Sequence, residues 1–155
     1  MFAAKLLLVS AALAAAPLVT AGEARAARNI AVEEANRALV LEFFDRVFNR
    51  HDLVAGAKVL ANDYKQHSTM TPDGKAAFVA AFAAFFKANP DAKVQIVRSA
   101  ADGDLVWTHG HATLRIDDRG EALAEIFRVR NGVIVEHWNV VQAVPEKSAN
   151  NNTMF

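Results

Sequence analysis

The sequence predicts an α+β fold in which helices pack on one side of a single curved antiparallel sheet. Apolar side chains recur every three or four positions through much of residues 30–88, which is the period of an amphipathic helix. After Asn89-Pro90-Asp91 the period changes to two, which indicates strands, and no helical stretch separates the strands that follow. Helices followed by an uninterrupted run of strands favour the α+β class over parallel βαβ units.

Three helices are expected in the first half of the chain. The first covers residues 30–49, with Leu39, Phe43 and Val47 on its apolar stripe. Asp52 is suited to cap a short second helix that ends near Leu60. The third runs from residue 75 to about residue 88. Its buried stripe consists of Phe78, Phe82, Phe85 and Phe86.

A polar segment without periodicity, residues 62–74, lies between the second and third helices. Tyr64, Gln66 and His67 are its candidate substrate-binding residues, because loops on a rigid scaffold often carry function. The alternative is structural, with Tyr64 anchoring the loop and His67 exposed to solvent.

Four strands are predicted in the second half, at residues 93–101, 105–116, 121–130 and 133–144. In the second strand Trp107, His109 and His111 alternate, so all three face the same side of the sheet. Three interpretations stay open. The histidines act as hydrogen-bonding or proton-transfer groups in a pocket, they join Glu125 or His137 as metal ligands, or they are structural. We favour the pocket, although structural networks and functional sites look alike in a sequence.

Asn131-Gly132 between two apolar runs predicts a hairpin that joins the last two strands. Its register depends on the loop. A two-residue loop places Glu125 opposite Trp138, whereas a three-residue loop places Glu125 opposite His137. Because a slip of one residue exchanges the two faces of a strand, this choice determines which side chains can form a pocket.

We prefer the three-residue loop, in which Val129 pairs with Val133. It groups three polar residues, Glu125, His137 and Asn139, on one apolar face. The apolar members of that face are Phe127, Val129, Val133, Val135 and Val141.

Composition narrows the class of protein. Seventeen basic residues balance seventeen acidic ones, so nothing indicates a nucleic-acid partner. The absence of cysteine excludes disulfides, a thiol nucleophile and cysteine-ligated zinc. A basic nucleic-acid surface and cysteine-based chemistry are therefore not expected.

Residues 1–26 have the pattern of an export signal, with Lys5 near the start, an apolar run from Leu6 to Val19, and small residues suited to cleavage. The alternative is an uncleaved amphipathic or anchoring helix. We expect export to the periplasm or the medium, without stable membrane association after cleavage. The mature chain then comprises a single domain at residues 27–147 and a C-terminal tail at residues 148–155.

Several segments carry a family resemblance through their order and spacing. They are Tyr64-Lys65-Gln66-His67, Pro72-Asp73-Gly74-Lys75, Asp104-Leu105-Val106 with His109 and His111, Ile126-Phe127-Arg128-Val129 with Asn131-Gly132, and Ile134-Val135-Glu136-His137-Trp138. Together they resemble the SnoaL-like polyketide cyclase family, and more narrowly its bacterial branch of predicted aldol-condensation enzymes. The resemblance implies a nuclear-transport-factor-2-like fold: a cone of three helices and a strongly bent antiparallel sheet around a pocket. It also implies a homodimer formed through the sheet.

The characterised cyclases of that family work without metal or organic cofactor, so the resemblance implies neither here. Their general acid/base is an aspartate on the last strand, and this chain has Asn139 at that position, which cannot take a proton. Glu125 on the preceding strand keeps a carboxylate, and a carboxylate in an apolar cavity can deprotonate the carbon beside a carbonyl. We therefore predict Glu125 as the catalytic base, assisted by His137 or by the pair His109 and His111. The predicted substrate-binding residues are Tyr64, Gln66, His67, Trp107, His111 and Asn139.

Two functions follow from these expectations. The first is a cofactor-independent aldol cyclase, lyase or isomerase acting on a small or polycyclic carbonyl compound in an apolar pocket. The second is an exported domain that binds a small apolar ligand without converting it, which the asparagine at position 139 favours.

Overall fold

The computed structural model describes residues 28–155, so the predicted export segment lies outside the described part. The helices in this part are α1 (Ile30–Phe44), which continues as a π-helical turn (Asp45–Asn49), α2 (Leu53–Gly56), which continues as a 3-10 turn (Ala57–Val59), and α3 (Lys75–Ala88). They correspond to the three predicted helices. None of these helices is long and apolar enough to cross a membrane.

Five strands form one sheet in the described residues, in the order β1-β5-β4-β3-β2. Their bounds are β1 (Leu60–Gln66), β2 (Lys93–Asp102), β3 (Leu105–Thr113), β4 (Glu121–Arg130) and β5 (Val133–Ala143). The α+β class is confirmed, but the sheet is mixed, because β1 runs parallel to β5.

The strand β1 was missed in the sequence, where its second half was assigned to a polar loop. Its buried side chains are Leu60 and Tyr64, four positions apart, and a register shift between Leu60 and Lys65 interrupts the pairing with β5. A two-residue period therefore never develops along this strand, and sequence periodicity could not detect it.

The helices cover one face of the sheet, called here the inner face. Phe43 and Phe44 of α1 lie with their ring centroids 6.0 and 5.5 Å from that of Phe127 on β4. Phe78 of α3 lies 6.1 Å from Tyr64 of β1. These edge-to-face aromatic contacts form part of the apolar core. The helices and the sheet are thus joined around an apolar interior into which the inner-face side chains point.

The turn between β4 and β5 is a two-residue loop, so the preferred three-residue loop was wrong. Arg130 pairs with Val133. Both loop residues have positive φ, 51° for Asn131 and 72° for Gly132, as the primed hairpin turns require. This backbone twist matches that of the strands, and asparagine and glycine adopt it most readily.

A bulge then changes the register that this turn would impose. Val129 pairs with Ile134 but Arg128 pairs with Glu136, which leaves Val135 as an extra residue on β5. From that point Phe127 faces His137 and Glu125 faces Asn139. Ile134 takes the buried position that was expected for Val133 and Val135.

The C-terminal tail lies against its own sheet. The ring of Phe155 stacks on His111 at 4.3 Å and approaches His109 at 5.8 Å. Both histidines lie on the face of β3 away from the helices, called here the outer face. The end of the tail therefore contacts the outer face of its own sheet.

Candidate active site

A cavity of about 100 Å³ lies between α1, α3 and the inner face of the sheet. Six phenylalanine side chains from α1, the π-helical turn, α3 and β4 form much of its wall. The polar side chains that the strands β1, β4 and β5 contribute are Tyr64, Gln66, Glu125, His137 and Asn139, and Ser68 and Thr71 line it from the segment after β1. Five of the predicted site residues therefore meet in one apolar cavity, while their individual roles stay predictions.

Glu125 and His137 form a buried pair at the centre of this cavity. The carboxylate oxygen Oε2 and the imidazole Nε2 are in direct hydrogen-bond contact, and the two side chains are only 8% and 9% exposed. The ring of Phe127 stacks on the imidazole at 4.6 Å. A carboxylate buried among aromatic rings is costly unless it is paired, and His137 supplies the partner.

Gln66 orients the imidazole from the other side. Its Oε1 lies 2.6 Å from His137 Nδ1 and also accepts the backbone N–H of Ser68 at 3.0 Å. Because a backbone N–H can only donate, the atom facing Nδ1 is the amide oxygen, and Nδ1 carries a hydrogen. His137 therefore presents Nε2 to Glu125, and a single proton lies between Nε2 and Oε2.

Tyr64 contributes a neutral donor to the same cavity. Burial raises the pKa of its phenol above the usual value, and the nearby charge of Glu125 raises it further. The phenol therefore stays protonated. Gln66 Nε2 donates to the phenolic oxygen at 3.5 Å, so the phenolic hydrogen can be donated to a ligand oxygen.

The bulge at Val135 brings Asn139 to this site. It turns the side chains of His137 and Asn139 to the inner face, whereas Trp138 points outward and contacts His67 and Arg128. With the same turn and no bulge, Trp138 would oppose Glu125 and occupy the cavity. The amide of Asn139 instead lies across from Glu125, where it can orient an oxygen-bearing ligand.

Three residues predicted to face the pocket lie on the outer face instead. Thr108 and Gly110 point inward from β3, so Trp107, His109 and His111 point outward. His109 Nδ1 accepts from Arg98 Nη1 at 2.6 Å, and His111 Nε2 lies 2.8 Å from the carbonyl oxygen of Arg119. The pocket assignment of these three was wrong. The structural interpretation fits the two histidines, and His109 cannot assist Glu125.

His67 is also outside the cavity. Its Nε2 lies 2.8 Å from a carboxylate oxygen of Glu136, and its ring stacks on Trp138 at 4.8 Å. The His67 hydrogen bond, together with Arg128, lowers the pKa of the Glu136 carboxyl. Alternation along the chain separates His67 from Gln66, because neighbouring residues of a strand face opposite sides.

No group of three or more histidine, aspartate or glutamate side chains within residues 28–155 converges in a way that could hold a metal ion. The expectation that no metal or cofactor takes part stays a prediction.

Two contributors to the site were missed in the sequence. Ser68 acts through its backbone N–H, which any residue type except proline would supply, so its sequence carries no signal. Thr108 lies directly opposite Glu125 in the sheet, with its hydroxyl buried. Neighbouring residues of a strand face opposite sides, so Thr108 faces away from Trp107, His109 and His111. Its place on the inner face could be predicted once it is known that those three residues point outward.

Comparisons with known proteins agree with this architecture. The family model of the SnoaL-like domain matches residues 40–137. AclR from Streptomyces galilaeus, a candidate hydroxylase, is 25% identical over 71% of this chain and 90% of its own, with a TM-score of 0.60. A candidate ketosteroid isomerase from Kribbella flavida is 20% identical over 76% of this chain and 85% of its own, with a TM-score of 0.61.

An LEH-like epoxide hydrolase from M. tuberculosis is 19% identical over 72% of this chain and 85% of its own, with a TM-score of 0.59. A comparison with curated proteins gives no significant match. At these identities the solved structures share the fold with this chain, and their different names do not single out one reaction.

Proposed function

Because this chain belongs to the SnoaL-like domain family, we propose that it is a cofactor-independent acid/base enzyme that deprotonates a carbonyl compound at the carbon beside the carbonyl group. The observation that carries this proposal is the buried Glu125–His137 pair, with Gln66 on one side and the Tyr64 phenol in the same cavity.

The pair supports a base that operates without a metal. With the shared proton on His137, Glu125 is a carboxylate next to an imidazolium, and its second oxygen, Oε1, takes the proton from the substrate carbon. The electron pair of the broken C–H bond moves to the carbonyl oxygen and forms an enolate. Tyr64 donates its phenolic hydrogen bond to that oxygen, which stabilises the developing charge.

Two outcomes of the enolate are consistent with the site. In an aldol reaction the enolate carbon attacks a second carbonyl of the same substrate, a carbon–carbon bond forms, and Glu125 returns its proton to the new alkoxide. In an isomerisation Glu125 returns the proton to another carbon. Both sequences regenerate the carboxylate and need no oxidant or cofactor.

The second candidate function is binding without conversion. Asn139 favours it, because the family pattern has the catalytic aspartate at that position. Under this proposal the cavity holds a small apolar ligand, and the Glu125–His137 pair serves to satisfy buried polar groups.

Deuterium exchange at carbon acids, followed by NMR in D₂O, distinguishes the two functions. We expect acetylacetone and related β-dicarbonyl compounds to exchange faster with the protein than in buffer. Glu125→Gln keeps the shape and removes the base, so the protein-dependent rate should fall by about 10²- to 10⁴-fold. Glu146→Gln, at an exposed position after β5, is the control and should leave the rate unchanged.

Saturable chemical-shift changes without exchange would favour the binding domain. Exchange of equal rate in wild type and Glu125→Gln would exclude Glu125 as the base.

We also propose a homodimer formed through the outer face. This face carries no helix, and its side chains include Trp107 and Val140, which are 40% and 70% exposed in the single chain. Exposed apolar side chains that cluster on one face are typical of interaction surfaces.

Export remains part of the proposal. It is supported by the tripartite pattern of residues 1–26. N-terminal sequencing of protein recovered from outside the cytoplasm tests it, and a chain that still begins at Met1 would contradict cleavage.

A further inference from the structure

The cavity that holds Glu125 is the inner part of a longer cleft. A second cavity, of about 370 Å³, shares walls with it, including Phe48, Phe82, Leu123 and Asn139. We call the cavity with Glu125 and His137 the inner chamber. The second cavity, which we call the outer chamber, is bounded further out by Met70, Ala81, Phe85, Phe86, Ala112 and Leu114.

The outer chamber opens to solvent. Met70 is 87% exposed and Leu114 is 43% exposed, and both lie on its rim. The Glu125–His137 pair belongs to the inner chamber, and its two side chains are only 8% and 9% exposed. The outer chamber therefore offers a ligand a route from solvent to the cavity that contains Glu125.

The volumes of the two chambers set what each can hold. An apolar cavity of about 150 Å³ is enough to bind a benzene molecule. The inner chamber, at about 100 Å³, is smaller than that and fits a short acyl group better than a six-membered ring. The outer chamber, at about 370 Å³, is more than twice the benzene-binding volume and can hold a body of one or two rings.

The chemistry of the walls agrees with this division. The outer chamber is lined mainly by phenylalanine and small or aliphatic side chains, with Lys93 and Glu121 as its charged groups. The inner chamber contains the acid/base pair and the Tyr64 donor. A ring packed against Phe85 and Phe86 would thus leave an attached carbonyl facing Tyr64 and Glu125.

We propose that the substrate is a compound of one or two rings bearing a short acyl chain, whose ring lies in the outer chamber and whose exocyclic carbonyl enters the inner chamber. This inference rests on the proposed function of Glu125. It excludes a carbonyl that is part of a six-membered or fused ring, because that ring would have to enter the inner chamber before the carbonyl could reach the base.

Ligand pairs that differ only in the ring test the assignment. Benzoylacetone and naphthoylacetone carry a ring on a short diketone chain, acetylacetone lacks the ring, and dimedone has both carbonyls within a ring. Dissociation constants are measured by NMR titration and exchange rates by deuterium incorporation. We expect the two aryl diketones to bind more tightly than acetylacetone, and dimedone to show no Glu125-dependent exchange.

Matched variants of α3 locate the ring. Ala81 lines the outer chamber and is half-buried, so Ala81→Phe places a ring where the ligand ring should lie. The dissociation constant of the aryl diketones should rise by about tenfold or more, as expected when an apolar group is kept out of a buried site, while that of acetylacetone stays unchanged. Ala83→Phe introduces the same side chain at an exposed position of the same helix and should change neither constant.

Equal affinity of wild type and Ala81→Phe for the aryl diketones would overturn the chamber assignment, as would Glu125-dependent exchange of dimedone. If Ala81→Phe weakens aryl diketone binding but wild type shows no exchange, the outer chamber still holds the ring and the proposed acid/base function fails. The two proposals can therefore fail separately.

Discussion

At the scale of single residues, Thr108 is a buried polar group that lies across the sheet from the proposed base, Glu125. Its hydroxyl is the buried side-chain polar atom without a hydrogen-bond partner in residues 28–155, and it lies across the sheet from Glu125. An unpaired buried hydroxyl costs roughly 1–3 kcal/mol relative to solvent. The unpaired hydroxyl is therefore expected to reduce the stability of the fold.

Thr108→Val keeps the branched shape and removes the hydroxyl. We expect the free energy of unfolding to rise by about 1 kcal/mol, because no native hydrogen bond is lost. Urea unfolding followed by fluorescence measures the change. Thr69→Val, at an exposed loop position, is the control and should stay within about 0.5 kcal/mol of wild type. A destabilised Thr108→Val protein would show that the hydroxyl has a partner, with Glu125 as the nearest candidate.

Glu125 shows why the site depends on single positions. The family resemblance implies a carboxylate at position 139, whereas this chain has an asparagine there and a glutamate directly opposite on β4. The two positions share the inner face, so a carboxylate at either one reaches the same cavity. A carboxylate at either position is therefore compatible with this fold, which is consistent with the proposed role of Glu125.

At the scale of the elements, two β-hairpin loops differ in the space that they leave for a side chain at their glycine. Gly120 and Gly103 both have positive φ, 69° and 61°. A Cβ atom on Gly120 would overlap the carbonyl oxygen of Ala112, whereas a Cβ atom on Gly103 would meet nothing within 4 Å. The first glycine is needed for conformation and for space, and the second for conformation alone.

Gly103→Ala and Gly120→Ala therefore form a matched pair. We expect Gly103→Ala to lower the free energy of unfolding by about 1 kcal/mol, which is the cost of a left-handed backbone for alanine. Gly120→Ala should lower it by more than about 2 kcal/mol, because the backbone of β3 must also move. Urea denaturation of both variants measures the difference. Equal losses would mean that the turn before β4 relaxes without cost.

The bulge in β5 is the element that creates the site. It adds one residue, Val135, and so reverses the faces of every later residue on that strand. His137 and Asn139 turn inward, and Trp138 turns outward. The valine-rich sequence around it is compatible with either face, since valine packs well on both the core and a half-exposed sheet.

At the scale of the whole molecule, the proposed homodimer forms through the outer face of the sheet. Val140 lies on this face and is 70% exposed, so Val140→Lys leaves the core of one chain intact. We expect wild type to sediment as a dimer and Val140→Lys to shift towards the monomer, because a lysine would be buried unpaired in the interface. Analytical ultracentrifugation makes the measurement.

Val54→Lys is the matched control, because Val54 is 78% exposed and lies on α2, away from the sheet. It should sediment as wild type does. A monomeric wild type, or a Val140→Lys protein that remains dimeric, would contradict dimerisation through the outer face.

The sequence by itself determined the class of fold and the helices, because amphipathic periods and a strong hairpin signal are local properties of the chain. It also identified Tyr64, Gln66, Glu125, His137 and Asn139, which meet in the cavity. Only the tertiary structure decided which other candidate residues also line the cavity. His67 and the β3 histidines have the right chemistry, but strand alternation leaves open which face is covered by helices.

The tertiary structure also decided the pairing that no local pattern encodes. β1 gains its hydrogen bonds from β5, about seventy residues later, and its polar sequence has no period of two. The register at Glu125 results from a two-residue turn and a bulge. The turn alone would place Trp138 opposite Glu125, and the bulge shifts the pairing by one residue, so that Asn139 lies there instead. Local sequence predicts each strand, whereas the packing of the inner face against α1 and α3 selects the register that buries Ile134, His137 and Phe127.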